Sequence, residues 1–511
     1  MVAGLTVSTL TPTLLVGALV LLVAVAAVRL STRSGLPSLL LYLALGLLLG
    51  TRGLGIQFDS APLAQALGYA ALVLILAEGG LTTRWSQIRR SVAPALVLST
   101  VGVLVSVAVV GLAAHLVLGL DATTSLLIGA ILSSTDAAAV FSVLRRVPIP
   151  HRLSGLLEAE SGFNDAPVVI LVTVFAEAAA HAGNHTGWPM LAVMAVVELA
   201  GGAAIGLAIG WVGGHLATRT APGSSALFGL AMLALIVLAY ATAAAAHASG
   251  FIACYLAALV LGNLELPHTT ATQSFAASLG WLAHIGLFVM LGLLADPADF
   301  GPQVVPAVVL GAVLLLVARP LAVAVSLTPF RFRWRDQAFL SWAGLRGAVP
   351  VVLATVPITV GIPRLAWIFD LVFVLVVVFT ALQAPVLPWV AGRLGVREES
   401  RALDLRVEAT PLDDLHAGLL QVHVGPASRL AGVTVDELRL PPEAHVVLLV
   451  RQHTTVMPEP RTLIRHGDDL LIVTTAAVRN MVERRVRAVS LDGRLAGWST
   501  EGRDGVRRDR E

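Results

Sequence analysis

The sequence predicts an all-α polytopic membrane protein of about thirteen transmembrane helices, followed by a small soluble α/β domain. Of the 511 residues, 57% are hydrophobic and only 13% are charged, whereas a soluble domain carries about 25% charged residues. Apolar runs of about 20 residues, the length that crosses a bilayer, repeat as far as about residue 392. Beyond residue 395 the runs give way to short segments of alternating hydrophobic and polar residues, which is the pattern of strands.

Thirteen candidate spans define a transmembrane domain over residues 1–395. The first span has no basic residue before it and no small-residue cleavage site after it, so we expect a retained helix rather than a signal peptide. The expected bounds are 11–31, 36–51, 61–80, 92–118, 123–144, 153–180, 188–218, 224–246, 250–266, 275–295, 304–328, 337–358 and 364–392.

Arginine residues predict how these spans are oriented. All 34 basic residues are arginine, and four arginine-bearing loops alternate with loops that carry almost none: RLSTR, TRWSQIRR, RRVPIPHR and RFRWR. Because basic loops remain in the cytoplasm, we expect a multi-pass protein of the bacterial inner membrane. Its N-terminus would lie outside and its C-terminus inside.

The soluble part divides into a linker, a domain and a tail. The segment GVREESRALD is polar and reads as a linker. Residues 404–488 alternate like strands in LLQVHV, HVVLLVRQ and DDLLIVTT, and TVDELRLP and AAVRNMVERRV have helical patterns. Residues 489–511 are polar and charged, so we expect a disordered tail. The single cysteine, Cys254, excludes a disulfide framework and a cysteine-built metal site.

Four apolar stretches carry polar or ionisable residues that an inert span would not need. A charge at the centre of a bilayer costs at least about 3 kcal/mol, so such residues indicate function. The residues are Glu78, Thr135, Asp136, Glu160, Ser161, Asn164, Asp165 and Arg346.

The two acids of the stretch AESGFNDAPVVI, Glu160 and Asp165, are expected to point in different directions from a helix. Ser161 and Asp165 are four residues apart and share one helix face, whereas Glu160 and Asp165 diverge by about 140°. We therefore expect Asp165 and Ser161 to offer oxygens to one ligand and Glu160 to need a partner of its own. Arg346 is the expected partner, since it and Arg319 are the basic residues near the middle of a span.

Two spans are expected to break near the middle of the bilayer. Small residues surround Thr135 and Asp136, and Arg346 lies between two glycines ahead of Pro350, which deprives the Arg346 carbonyl of its helical partner. Two broken helices that cross would place helix ends and free carbonyls around an ion site. The sequence leaves the roles of three further residues open: Arg319, Glu198 and Asp370.

The polar stretches resemble motifs of the monovalent cation/proton antiporters. ESGFNDAPVV is similar to the family's E-S-x-x-N-D motif, STDAAAVFSVLRR to its T-D-P/A-A-A-V stretch, and EGGLTTR and GLRGAVPVVLA to its F-E-G-G-L and G-x-R-G-A-V segments. Residues 404–488 resemble a regulator-of-potassium-conductance C-terminal (RCK-C, TrkA-C-like) domain. The combination is similar to NhaP-type potassium/proton, or cell-volume-regulation, antiporters. Ala77 and Ala137 stand where the family often has phenylalanine and proline, which affects local shape.

The resemblance implies a homodimer built from inverted repeats, in which a core carries the ion past a static dimerisation domain in an elevator-like movement. Asp165 would bind the cation or the proton, and the family pattern implies oxygen ligands from Ser161 and Thr135, with Glu78 as a further candidate. Asp136 would shape the electrostatics of the site, and Asn164 belongs to the same motif. The resemblance implies a structural ion pair between Glu160 and Arg346.

A mechanism follows from a buried carboxylate that must be neutralised. Burial disfavours the charged form and a bound cation favours it, so Asp165 should hold a proton or a cation but not both. Because the neighbouring Asn164 is uncharged, we expect electroneutral exchange of about one cation for one proton, without a cofactor. The RCK-C-like domain favours potassium over sodium, and it implies that a nucleotide such as cyclic di-AMP could regulate the protein.

Two other function classes compete with this hypothesis. The RCK-C-like domain would also suit a ligand-gated cation channel, but the sequence has no T-V-G-Y-G filter segment. A membrane enzyme is disfavoured because neither H-E-x-x-H nor G-x-S-x-G occurs. We therefore expect no enzymatic activity, and the partners we expect are cations, protons, lipids and a second copy of the chain, but no nucleic acid.

Overall fold

The computed structural model describes residues 7–34, 36–144, 149–180, 188–220, 224–264, 266–396, 407–412, 417–425, 428–451, 454–475 and 478–496. The chain forms two compact units, Met1–Glu398 and Glu399–Glu511. The first unit is helical and the second is an α/β domain. The expected linker beyond Val396 and the expected disordered tail beyond Ala496 lie outside the described residues.

The first unit is a bundle of apolar helices joined by short connections. Short 3-10 turns occupy Pro297–Asp299 and Pro363–Leu365. The helices are α1 Val7–Ser34, α2 Ser38–Leu49, α3 Ala61–Thr82, α4 Trp85–Ile88, α5 Val92–Leu118, α6 Ala122–Ile131, α7 Ala137–Leu144, α8 His151–Ala180, α9 Trp188–Thr220, α10 Ser225–Ala245, α11 Gly250–Asn263, α12 Thr269–Leu294, α13 Gly301–Phe330, α14 Trp334–Trp342, α15 Ala348–Thr359 and α16 Trp367–Arg393.

Within the described residues, eight helices are long and apolar enough to cross a membrane, and five shorter apolar helices have 10–17 residues. Together these thirteen helices fall on the thirteen expected spans. The prediction of an all-α polytopic membrane fold is therefore confirmed. Their sequences are apolar on all sides, as expected for helices that face lipid on one side and protein on the other.

Both expected breaks are present. The chain leaves α6 at Ile131 and becomes helical again at Ala137, and it leaves α14 at Trp342 and becomes helical again at Ala348. Pro350 cannot donate to the Arg346 carbonyl, and that carbonyl accepts a hydrogen bond of 3.0 Å from the Thr380 hydroxyl instead. The proline therefore explains both the break and the position of Thr380.

The helices of the first unit pack in two groups. The helices α2, α3 and α9–α12 pack on one another and are called the scaffold helices here. The helices α5–α8 and α13–α16 form a second set of neighbours and are called the core helices. Helix α8 lies at the boundary, where it also contacts α3 and α11. The polar stretches of α6–α8 and α14–α15 are thereby brought together within one group.

The second unit is a five-stranded antiparallel sheet with one helix. Its strands are β1 Val407–Leu412, β2 Ala417–His423, β3 Ala444–Arg451, β4 Thr454–Val456 and β5 Asp469–Thr475, in the order β1-β2-β5-β3-β4, followed by α17 Arg479–Asp492.

Alternate strand residues and the helix build the core of this domain. Leu420, Leu449 and Ile472 are buried with Val489 of α17. Because Val489 is packed in this core, α17 continues past residue 488, and the tail expected from residue 489 begins with four helical residues, up to Asp492. The expected helix at TVDELRLP is only the 3-10 turn Asp436–Leu438.

Candidate ion-binding site

A cavity of about 400 Å³ lies where α8 meets the scaffold helices. It is lined by polar groups of α3, α7, α8 and α12 and by the apolar side chains between them. The predicted site residues that line it are Glu78, Thr135, Asp136, Ser161 and Asp165. Asn164, Glu160 and Arg346 do not line the cavity and lie buried behind it.

The two broken segments are hydrogen-bonded to each other where they cross. The backbone N–H of Asp136 donates to the Leu345 carbonyl at 2.9 Å, and the Asp136 carboxylate accepts from the Ala139 N–H at 3.2 Å. A Cβ atom at Gly347 would lie 1.8 Å from Asp136 Oδ2, so only glycine fits there. The Asp136 carboxylate therefore lies against the N-terminal ends of both α7 and α15, where helix dipoles favour negative charge.

Arginines lie at the two opposite helix ends. Arg346 Nη1 donates to the carbonyls of Ser134 at 2.9 Å and Ser133 at 3.4 Å, just after the C-terminal end of α6. Arg319 Nη2 donates to the Leu340 carbonyl at 3.4 Å, in the last turn of α14. The free carbonyls at a helix C-terminus carry partial negative charge, so both guanidinium groups stabilise the breaks.

The predicted ion pair between Glu160 and Arg346 is wrong, because the partner of Glu160 is Arg319. Arg319 Nη1 lies 2.6 Å from Glu160 Oε1, and Nη2 lies 2.9 Å from Oε2. Both side chains are almost fully buried. Gly344 makes room for this pair, since a Cβ atom there would lie 2.5 Å from Arg319 Nε. Pairing depends on how α8 and α13 face each other, and residue spacing alone does not reveal that.

Asp165 has a different environment from Glu160. Its carboxylate is buried and accepts a hydrogen bond of 2.9 Å from the Ser134 hydroxyl. No ion pair of Asp165 is present in the described part of the chain. Sequence reasoning missed Ser134, although it stands next to Thr135 in the polar run SSTD and could have been found there.

Thr135 ties the break between α6 and α7 to α8. Its hydroxyl donates to Glu160 Oε1 at 3.1 Å and accepts from Asn164 Nδ2 at 2.6 Å. Ser161 Oγ donates to the Thr135 carbonyl at 3.4 Å and accepts from the Ala137 N–H at 3.3 Å. Asn164 thus orients Thr135 from behind the cavity, whereas Ser161 and Thr135 face the cavity.

The scaffold helices supply the opposite wall of the cavity. Glu78 and Thr83 of the α3 end, Tyr255 of α11 and His284 of α12 line it, with Glu158 of α8 facing them. His284 Nδ1 is hydrogen-bonded to the Gly280 carbonyl at 2.8 Å. Apart from Glu78, sequence reasoning gave none of these residues a place at the site. Their contribution depends on the packing of α8 against the scaffold helices, which no motif encodes.

Two of the residues left open by the sequence lie away from the cavity. Asp370 is in the first turn of α16. The Glu198 carbonyl in α9 accepts the Ser249 N–H at 2.9 Å. Neither carboxyl group is placed to serve the cavity, whereas the third residue, Arg319, forms the ion pair with Glu160.

Comparison with known proteins identifies relatives of both units. Residues 18–392 match the transmembrane sodium/hydrogen exchanger family, and residues 419–487 match the TrkA-C domain. The chain is 40% identical over 398 residues to the K(+)/H(+) antiporter NhaP of Alkalimonas amylolytica, covering 76% of this chain and 68% of that protein. It is 33% identical over 464 residues to the K(+)/H(+) antiporter NhaP2 of Shewanella oneidensis, covering 90% and 80%.

A solved structure has the same fold. The sodium proton antiporter MjNhaP1 from Methanocaldococcus jannaschii aligns with a TM-score of 0.64 at 22% sequence identity, covering 75% of this chain and 99% of that chain. These three relatives are antiporters by name.

Proposed function

The chain belongs to the sodium/hydrogen exchanger family and is a monovalent cation/proton antiporter, and from this premise we propose that it exchanges potassium for protons with Asp165 carrying each ion in turn. The observation that carries the proposal is that Asp165 has no ion pair within the described residues. It lines the cavity, it is buried, and Ser134 is its hydrogen-bond partner. A carboxylate in such a place is stable only when a proton or a cation neutralises it.

The charges around Asp165 support electroneutral exchange. Arg319 neutralises Glu160. Arg346 and Asp136 lie at the same crossing. Arg346 stabilises the C-terminal end of a helix there, and Asp136 stabilises helix N-terminal ends. The two acids Glu160 and Asp136 and the two arginines Arg319 and Arg346 therefore balance, and one monovalent cation or one proton on Asp165 leaves this group of charges neutral. Exchange would be about one for one.

The oxygen atoms that face the cavity suit an alkali cation. Asp165, Ser161 and Thr135 of the core helices would bind it, with Glu78 on the scaffold side as a further ligand. Hard oxygen ligands of this kind are preferred by such cations. Asp136 would act through its charge, and Asn164 through Thr135. Potassium is favoured by the names of the relatives and by the TrkA-C domain.

The position of the cavity supports an elevator-like movement. From Asp165 the cavity extends to Thr83 at the end of α3 and to Glu158 in the first turns of α8, and both helix ends adjoin arginine-bearing loops. With those loops in the cytoplasm, the cavity would open to the inside, and we call this arrangement the cavity-open state. The core helices would then carry Asp165 past the scaffold helices, which would form the homodimer. The N-terminus would lie outside and the α/β domain inside the inner membrane.

The α/β domain would regulate exchange rather than carry it out. The proposed transport site lies wholly in the first unit. The TrkA-C match supports a ligand-binding role, for which a nucleotide such as cyclic di-AMP is our candidate. Titration of the full-length protein with cyclic di-AMP would detect such binding.

Proton movement in everted vesicles tests the proposed function. Vesicles from an antiporter-deficient bacterium are energised, and a pH-sensitive dye reports the gradient while potassium or sodium salts are added separately. The wild-type protein should dissipate the gradient with potassium more effectively than with sodium. Asp165→Asn should abolish the response, whereas the matched control Asp299→Asn, in the connection between α12 and α13, should retain it. Equal responses of Asp165→Asn and the wild type would contradict the proposal.

A further inference from the structure

A second carboxyl group of α8 faces the cavity without a role in the proposed exchange. Glu158 lies seven residues before Asp165, so both point from the same face of the helix, and both line the cavity. The Thr83 hydroxyl, at the C-terminal end of α3, lies within hydrogen-bond distance of Glu158 Oε1 and, at 2.7 Å, of the Gly79 carbonyl of its own helix, and its one proton is shared between these two acceptors. The hydrogen bond to Glu158 runs from a scaffold helix to a core helix.

Thr83 is fixed to the scaffold helices. Its carbonyl accepts a hydrogen bond of 2.8 Å from Asn263 Nδ2 of α11, and Asn263 Oδ1 accepts the Trp85 N–H at 2.7 Å. The Leu81 carbonyl, two residues earlier, accepts from Gln273 of α12 at 3.0 Å. Two other scaffold helices, α11 and α12, therefore hold this end of α3 in place.

Glu158 is fixed to the core helices in the same way. Two serines of α5 and the turn before it hold α8 on either side of Glu158: Ser91 Oγ donates to the Arg152 carbonyl at 3.2 Å, and Ser99 Oγ donates to the Glu160 carbonyl at 3.2 Å. Glu160 is in turn anchored by Arg319. Glu158 therefore moves with the core helices, and Thr83 stays with the scaffold helices.

The neighbouring contact between the two groups is of a different kind. The ring of Tyr255 lies against the backbone of Gly162, where a Cβ atom would be 2.3 Å from Cζ, and it meets the edge of Phe163 at a centroid distance of 5.4 Å. Contacts between apolar surfaces are non-directional and can slide. A hydrogen bond depends on distance and angle, so the bond between Thr83 and Glu158 must break when the groups move.

We propose that the hydrogen bond between Thr83 and Glu158 is a latch that holds the core helices in the cavity-open state and opens once in each transport cycle. Glu158 is then a positioning residue that sets how fast the core leaves this state, and it carries neither the transported cation nor the proton. The inference rests on the movement proposed above. It adds a residue pair that controls the movement itself.

Exchange kinetics of a matched set of variants test the latch. Thr83→Val removes the donor, and Thr82→Val is the control, because the Thr82 hydroxyl bonds only carbonyls of its own helix, at 2.8 Å and 3.2 Å. Loss of one hydrogen bond should speed departure from the cavity-open state by about two- to tenfold, which raises the maximal exchange rate and leaves the KM for potassium unchanged. Thr83→Ser and Glu158→Gln keep a donor and an acceptor and should behave like the wild type.

The opposite pattern would overturn the latch. If Glu158→Gln raises the KM while Thr83→Val matches Thr82→Val, Glu158 acts through its charge and the hydrogen bond has no role. A slower Thr83→Val variant would equally contradict the proposal.

A distance measurement tests the latch without relying on transport. Spin labels are placed on a core helix and a scaffold helix, at Leu104→Cys and Leu227→Cys, which are 56% and 55% exposed, in a Cys254→Ala background. Thr83→Val should lower the ratio of the cavity-open population to the remaining populations by about two- to tenfold relative to Thr82→Val. Identical distance distributions in Thr83→Val and Thr82→Val would overturn the latch. A spin-labelled wild-type protein that shows a single fixed distance and no exchange would instead overturn the proposed movement.

Discussion

Helix α8 presents two buried carboxylates five residues apart, and their surroundings are opposite in kind. Glu160 faces the core helices, where Arg319 binds both of its oxygens and Thr135 donates a third hydrogen bond. Asp165 faces the cavity, where Ser134 is its partner. In the proposed mechanism, Arg319 neutralises the charge of Glu160 permanently, and the transported ion neutralises the charge of Asp165. Equal burial does not imply equal function.

The largest expected effect separates exchange from folding at Asp165. Asp165→Asn removes the charge but keeps an oxygen that can accept the Ser134 hydroxyl, so we expect exchange to fall at least about 100-fold with the thermal midpoint unchanged or raised. Purified protein in detergent gives the midpoint, and reconstituted vesicles give the exchange rate. If the variant loses both exchange activity and thermal stability, Asp165 has a structural role like that of Glu160.

The second-largest effect is expected at Glu160, where a substitution should reduce the stability of the protein. Arg319→Met leaves the Glu160 carboxylate buried without its partner, which should destabilise the protein by about 3–5 kcal/mol. The double variant Glu160→Met with Arg319→Met removes both charges and should recover most of this loss. Thermal unfolding of the two variants in the same detergent provides the comparison. If the single and double variants are equally unstable, the pair contributes more to stability than the mutual neutralisation of its two charges.

A smaller effect is expected where the broken segments cross. Gly347→Ala places a Cβ atom within 1.8 Å of Asp136 Oδ2, so the two segments must separate. We expect a loss of stability of about 1–3 kcal/mol and slower exchange, because Ser134 and Thr135 shift with Asp136. Gly55→Ala in the connection before α3 is unsuitable as a control because its φ is 82°. Gly286→Ala, where a Cβ atom would meet nothing within 4 Å, should be close to neutral.

The smallest effect concerns an ion pair in the α/β domain, which serves stability alone. Burial acts to raise the pKa of Asp468, but hydrogen bonds from Arg451 and from the Arg465 N–H outweigh it, and the pKa is lowered. The stabilising contribution is therefore complete above the ordinary value of about 3.9 and is lost as the pH falls through the lowered pKa.

Hydrogen exchange of the full-length protein reports on this pair. Protection of β5, which begins at Asp469, should fall in Asp468→Asn by the equivalent of about 1–2 kcal/mol at pH 7, and the difference from the wild type should narrow toward pH 3. A difference that is independent of pH would show that the Asp468 charge contributes nothing.

The sequence predicts the helices, their breaks and the acidic residues of the site. It does not predict which arginine pairs with Glu160. The breaks around Thr135 and Arg346 are visible because small residues and Pro350 interrupt apolar runs. The position of Asp165 on a face with Ser161 follows from helical spacing. The partner of Glu160 was assigned wrongly, because both candidate arginines lie near the middle of a span and only the packing of α13 beside Gly344 distinguishes them.

The second failure has the same physical origin. Thr83, Tyr255 and His284 reach the cavity from scaffold helices that are far from α8 in sequence. Short motifs describe what one segment can offer, whereas the walls of a cavity between two helix groups depend on how the groups meet. The same holds for Glu158 of α8, whose contact with Thr83 at the end of α3 depends on how the two helices meet.

The voltage dependence of exchange tests most directly the proposal that Asp165 alone carries the exchanged ions. Proton flux is measured in proteoliposomes with a fixed potassium gradient, at zero potential and at about 100 mV set by an anion gradient. A movement of one net charge across the membrane would be biased by about 2.3 kcal/mol per 100 mV, a change of up to about fiftyfold. Equal fluxes at the two potentials are the expected result, and a flux that follows the potential would contradict one-for-one exchange on Asp165.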